Sequence, residues 1–119
     1  MLTDSITNTI EYETAASLFI GAQMEGFIKI GNLGLEFQYR NKHLGKNLFF
    51  AWKDIREVQI NISMRGKLGK EFSIETGTQT AVRFSSKETG KIVKLISAHI
   101  DKKRIVRAPN LLSPFSMKK

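Results

Sequence analysis

Residues Leu48 to Val58 read LFFAWKDIREV. Five apolar residues ending in Trp52, then the polar pair Lys53-Asp54, then apolar Ile55 and Val58, describe a buried strand that turns sharply into a second one. The strand that follows carries the clearest pattern in the chain. Val58, Ile60, Ile62 and Met64 alternate with Gln59, Asn61, Ser63 and Arg65, the period of a sheet with one dry and one wet face. This stretch decides for sheet before any question of chemistry arises.

Towards the N-terminus, Leu35, Phe37 and Tyr39 alternate with Glu36, Gln38 and Arg40, and the turn residues Gly31-Asn32-Leu33-Gly34 separate them from a short strand over Phe27–Ile30. Gly21 to Gly26, GAQMEG, reads as a loop bounded by glycines. Ile10 to Ile20 reads as a long, edge-like strand with a bulge near Ala15 and Ala16, after a polar lead-in over Met1–Thr9. Towards the C-terminus, Arg65 to Lys70 is a basic glycine turn. Phe72 and Ile74 then alternate with Ser73 and Glu75, and beyond Gly77 the residues Val82 and Phe84 point inward with Arg83 outward. Seven strand-like segments with short turns predict a mostly β fold, a meander packed as a small antiparallel barrel or two bent sheets. An exposed edge strand in such a sheet offers a route to a homo-oligomer.

The period changes after Phe84. Ser85-Ser86-Lys87-Glu88 fits a capping box, in which Ser85 accepts from the helix amides and Glu88 reaches back. Ile92, Leu95, Ile96, His99 and Ile100 then fall on one helical face, with Lys87, Lys91 and Lys94 near the opposite side. One amphipathic helix over about 86–100 must therefore cover the sheet. Asp101 to Arg107 is basic, and Pro109 and Pro114 keep the rest from being a long helix. The organisation expected is a single domain over residues 1–119, with strands over about 10–85, the helix, and a basic, proline-containing tail over 101–119.

A chain of 119 residues can build one core without disulfide or metal staples. It has no cysteine, which excludes disulfides, thiol catalysis and thiolate zinc sites. The N-terminus lacks the basic start and apolar stretch of a secretory signal, and no apolar run approaches the roughly 20 residues that span a bilayer. A soluble cytoplasmic domain is the expectation.

Charge is the most informative property. The net +8 is uneven: residues 1–82 hold nine Lys/Arg and nine Asp/Glu, whereas residues 83–119 hold ten and two. A neutral body with one cationic surface suits an acidic protein, nucleic acid or anionic lipid. The residues expected to form that surface are Lys87, Lys91 and Lys94 on the helix and Lys102, Lys103, Arg104 and Arg107 beyond it. Leu111, Leu112 and Phe115 would add apolar anchoring. Cations near a helix C-terminus also favour its dipole, but four of them within six positions exceed that need.

Other candidate chemistry is thin. His43 lies in a polar loop and His99 on the apolar helical face, where a hydrogen-bonded imidazole is the ordinary role; two histidines make no metal site. Glu11/Glu13 and Asp54/Glu57 read as strand-face and turn charges. The GKLGK turn lacks the phosphate-loop spacing and precedes a strand instead of a helix. No nucleophile is accompanied by a base and an orienting group. The expectation is a protein with no enzymatic activity and no cofactor.

The run FFAWKDIREV resembles a hydrophobic-Trp-x-x-Ile-x-x-Val signature of bacterial and GRAM-type members of the pleckstrin-homology-like superfold. Ile74-Glu75-Thr76, Val82 to Lys87, the helix, and Ile100 to Arg107 are similar to a small bacterial family called ManO. The similarity covers about residues 10–107, through motifs that are short and moderately specific. It implies a PH-like barrel of about seven antiparallel strands capped by the helix, in the cytoplasm of a Gram-positive bacterium. It further implies an accessory or regulatory protein of mannose-type sugar phosphotransferase systems, acting through protein contacts, and supplies no catalytic residues. Pleckstrin domains carry a Trp in the C-terminal helix, whereas Trp52 here precedes it by a long interval, on what reads as a mid-chain strand. Their phosphoinositide grip sits around the first strand-strand loop, and GAQMEG offers Glu25 and no cation. Two rival readings use the same cations: a DNA-binding regulator of a mannose operon, opposed by the lack of a helix-turn-helix pattern, and a module on anionic membrane surfaces.

Overall fold

The computed structural model describes residues 9–77 and 81–108. Where the sequence alternates, burial alternates: in β6 (Leu68–Glu75) Phe72 and Ile74 are buried between half-buried polar neighbours, and in β7 (Val82–Ser85) Phe84 is buried beside exposed Arg83. Before them come β1 (Ile10–Ile20), β2 (Ala22–Gly31), β3 (Gly34–Tyr39), β4 (Leu48–Ala51) and β5 (Glu57–Ile62); after them come one helix, α1 (Thr89–Ile96), and β8 (Ile105–Arg107). Single 3-10 turns occupy Lys42–Leu44, Trp52–Asp54 and Lys102–Arg104.

The strands make one eight-stranded sheet in the order β4-β3-β2-β1-β7-β6-β5-β8, with β4 and β8 at its two ends. The mostly β, helix-capped, PH-like architecture expected from the sequence is present, with the sheet left open between those ends. Leu18, Ile28, Phe37, Phe72 and Phe84 fill the interior, and Ile92 and Ile96 of α1 close it. Burying residues of this size is worth about 1.5–3 kcal/mol each, which is why the helix stays on the sheet.

Several local expectations are corrected. β1 is central, pairing with β2 along its length and with β7 through Ser17–Phe19. Its register shift lies between Ile10 and Tyr12, not near Ala15 and Ala16. GAQMEG is strand except for its first residue: Ile20 pairs with Ala22 across Gly21, whose φ of 77° supplies the reversal. Gly26 is glycine because a Cβ there would run into the Gln38 carbonyl of the neighbouring strand. β5 ends at Ile62, and Met64, expected on the dry face, is fully exposed at the hairpin tip. Trp52 begins a 3-10 turn and does not lie on a strand.

The helix also begins later and ends earlier than the expected span of about 86–100, giving way to turns after Ile96. Ser85 belongs to β7, and the N-cap position is Glu88, with no side-chain cap bond. Ser86 and Thr89 hold the entry instead. Ser86 Oγ accepts from the Glu88 amide and donates to the Ala15 carbonyl, and Thr89 Oγ1 donates to the Lys70 and Ser86 carbonyls. These bonds fasten the start of α1 to β1 and β6 and not merely to itself. The stretch assigned to a tail includes structure as well. Asp101 Oδ1 caps the 3-10 turn through the Lys103 amide, and Ile105–Arg107 pairs in parallel with Val58–Ile60. The sheet therefore has eight strands and one parallel pair.

Candidate binding surface

The cationic residues sit on two adjoining elements. Lys87 is in the turn before α1, Lys91 and Lys94 lie on its outward side, and Lys102 and Lys103 lie in the 3-10 turn that follows; all five are exposed. Lys91 Nζ stands 4.8 Å from the centroid of the Tyr12 ring, a cation–π contact that steers its side chain over β1. Among the described residues, none of the five lysines is paired with a carboxylate, whereas Arg83 pairs with Glu71 and His99 bonds to Glu11.

The two arginines of the expected surface have other work. Arg104 Nη1 donates to the Ile55 carbonyl at 2.9 Å, and Arg107 Nη2 donates to the Ile62 carbonyl at 3.0 Å. They anchor β8 to the edge of β5. The run of four cations past the helix thus divides into two lysines facing water and two arginines bonded to the fold, which removes half of the surplus that the sequence suggested. Leu111, Leu112 and Phe115 lie outside the described residues.

What holds the lysine face in place is a contact at the far end of the helix. The His99 ring stacks on Trp52 with centroids 4.5 Å apart and planes 3° from parallel, and its Nε2 lies 3.0 Å from Glu11 Oε1. Trp52 Nε1 donates to the Gly31 carbonyl at 3.0 Å. Four segments meet here: the start of β1, the end of β2, the β4–β5 turn and the exit of α1. His99 is therefore a hydrogen-bonded imidazole as expected, placed at the rim of the core, with 22% of its side chain exposed. His43 sits in the exposed 3-10 turn after β3, far from it in sequence. Among the described residues no group of three His, Asp or Glu side chains is disposed to hold a metal ion.

The sequence did not single out the open end of the sheet. β4 pairs with β3 on one side only. The Trp52 amide donates to the Leu33 carbonyl, and Trp52 continues the β4 register by one residue. Antiparallel pairing alternates the direction of backbone groups, so Phe50 also faces β3, while the N–H and C=O of Phe49 and Ala51 face outward. Beside that edge runs a groove of about 530 Å³, lined among the described residues by Phe49, Phe50 and Ala51 of β4 together with Lys53, Asp54, Arg56 and Thr76. The signal was in the quoted stretch: a four-residue strand between polar loops, with a lysine just outside each end, is how proteins mark an edge.

No helix among the described residues is long and apolar enough to cross a membrane. A family model described as a domain of unknown function, DUF956, matches residues 2–118. The chain belongs to the DUF956 family. No curated protein matches it. Among solved structures, this DUF956 chain is similar to the C-terminal domain of an unknown protein from Leishmania infantum, at 13% identity and a TM-score of 0.63, over 76% of this chain and 83% of that one. It is also similar to the complex of the FERM and C-terminal domains of Drosophila Merlin, at 16% identity and a TM-score of 0.54. That second likeness covers 77% of this chain and 31% of the Merlin chain. At such identities the likeness concerns the fold.

Proposed function

We propose that this DUF956 protein is a non-enzymatic binding module whose lysine face, carried on α1 and the following 3-10 turn, recognises the acidic surface of a partner protein. The observation that carries the reading is the combination of exposure and fixation. Lys87, Lys94, Lys102 and Lys103 are solvent-facing and, among the described residues, without a carboxylate partner, on elements held by the Ser86, Thr89 and His99 contacts. A solubilising charge needs no fixed geometry; a recognition surface gains from it, since ordering is then not charged against binding. The resemblance to the ManO family supplies the class of partner: a component of a mannose-type sugar phosphotransferase system, met in the cytoplasm of a Gram-positive bacterium, with the protein as accessory or regulator.

The test is capture of purified phosphotransferase components by immobilised protein, compared with a variant carrying Lys87→Glu, Lys94→Glu, Lys102→Glu and Lys103→Glu. Capture that falls as salt rises and is lost in the variant supports the reading. Equal capture by both forms overturns it. Gel shifts with operon DNA and sedimentation with anionic vesicles complete the comparison. Binding to either one through the same lysines, with no protein capture, transfers the surface to nucleic acid or lipid.

A further inference from the structure

We propose that the open seam beside β4 binds an extended, acidic peptide segment, which adds to the sheet as a strand. This goes beyond the lysine face, uses different residues, and stands or falls separately from it.

Three observations converge on the seam. The first is hydrogen-bonding capacity: Phe49 and Ala51 present outward N–H and C=O groups with no partner among the described residues. A strand laid against them would satisfy all four groups, the way β-strand addition obtains its affinity. The second is shape. The edge residues Phe49 and Ala51 share a groove of about 530 Å³ with Lys53, Arg56 and Thr76, so space for a chain adjoins the outward backbone groups.

The third is charge. Among the described residues, Lys53 and Arg56 line the groove and Asp54 is its only carboxylate. The Arg104 guanidinium donates to the carbonyl of Ile55, the residue between Asp54 and Arg56. Neighbouring cations at the end of an open edge favour a ligand with carboxylates along one side. The same positive charge, +8 over the chain, opposes a second copy of the protein as occupant. Phe49, half-buried on the outer face of β4, offers an apolar surface to the ligand's alternate side chains. The ligand class is thus a short extended segment in which Asp or Glu alternates with β-branched residues.

The backbone of Ala51 allows a clean test. Its φ of −64° and ψ of 141° already match proline, and its N–H faces the groove. Ala51→Pro deletes one outward donor and leaves the ladder to β3 in place. The probes are three nine-residue peptides: Asp and Glu alternating with Val and Ile, the same with Lys in place of the acids, and a scramble of the acidic one. Binding is read by fluorescence anisotropy and by amide hydrogen exchange.

The acidic alternating peptide is expected to bind saturably and to slow exchange at the Phe49 and Ala51 amides, with the lysine peptide and the scramble weaker. Ala51→Pro should weaken it about tenfold, the upper range for one lost hydrogen bond. The pair Lys53→Glu and Arg56→Glu should reverse the preference between acidic and lysine peptides. Absence of saturable binding overturns the proposal, as does equal binding of all three peptides or affinity indifferent to Ala51→Pro. Slow exchange at Phe49 and Ala51 that grows with protein concentration alone overturns it too, because a second copy then occupies the edge. Retained capture of acidic proteins by the lysine face, alongside loss of peptide binding, locates a failure in the seam and not in the proposed function.

Discussion

The two ends of the sheet solve the same problem in opposite ways. At one end, β5 carries six residues with apolar Val58, Ile60 and Ile62 in alternation, a template for unwanted pairing. The chain returns after its helix to cover that edge with β8, and Arg104, just before that strand, and Arg107, at its end, bond to the carbonyls of Ile55, just before β5, and Ile62, at its end. At the other end, β4 is four residues long and only Phe49 and Ala51 direct backbone groups outward. Nothing among the described residues pairs with them; shortness and the nearby Lys46 and Lys53 are the protection. A covered edge is structure and unavailable. A short, charged edge is safe enough to leave open, and therefore usable.

Removing what the two ends share should have the largest effect. The Phe84 ring lies within 6.0 Å, centroid to centroid, of Phe37, Phe50 and Phe72, so it links strands from the β4 side to those from the β5 side. Phe84→Ala is expected to cost about 3–5 kcal/mol in urea unfolding, with both ends loosening together in hydrogen exchange. Loosening of one end only would mean that the two halves fold as separate units.

The covered edge should respond more modestly to loss of its anchors. Arg104→Ala removes a charge-assisted, part-buried bond to Ile55 and should cost roughly 1.5–3 kcal/mol. Arg107→Ala breaks more exposed bonds and should cost less. Exchange should rise at Ile105–Arg107 and along the facing side of β5 and stay unchanged in β4. An equal rise in β4 would show that the edges are coupled and the contrast between them false.

The covered edge was also the part that the sequence concealed. LFFAWKDIREV and the alternation into Ile62 declared sheet because each residue's neighbours two positions away report the same face. Ile105-Val106-Arg107 is too short to show a period, and a parallel partner 47 residues earlier leaves no hairpin signature between them. Gly26 misled for a related reason: a glycine demanded by the neighbouring Gln38 carbonyl looks, in one dimension, like a glycine of a loop. The lysine stripe was legible from helical spacing alone. The diversion of Arg104 and Arg107 to backbone carbonyls was not, since a guanidinium bonded to its own fold and one facing a partner have the same letter.

The open edge should change least, and its small effect is the sharpest measurement. Because direction alternates along a paired strand, the Trp52 and Phe50 amides should exchange slowly and those of Phe49 and Ala51 quickly, although all four are consecutive. Proline at 51 keeps a φ the backbone already has and should alter stability by no more than about 1 kcal/mol, with a slight gain from the stiffer unfolded chain. Proline at 50 deletes a ladder bond and a core ring and should cost about 3 kcal/mol or more. If the two prolines are equally harmful, the outward groups of β4 are already engaged within the molecule, and the difference between its edges is one of sequence position, not of availability.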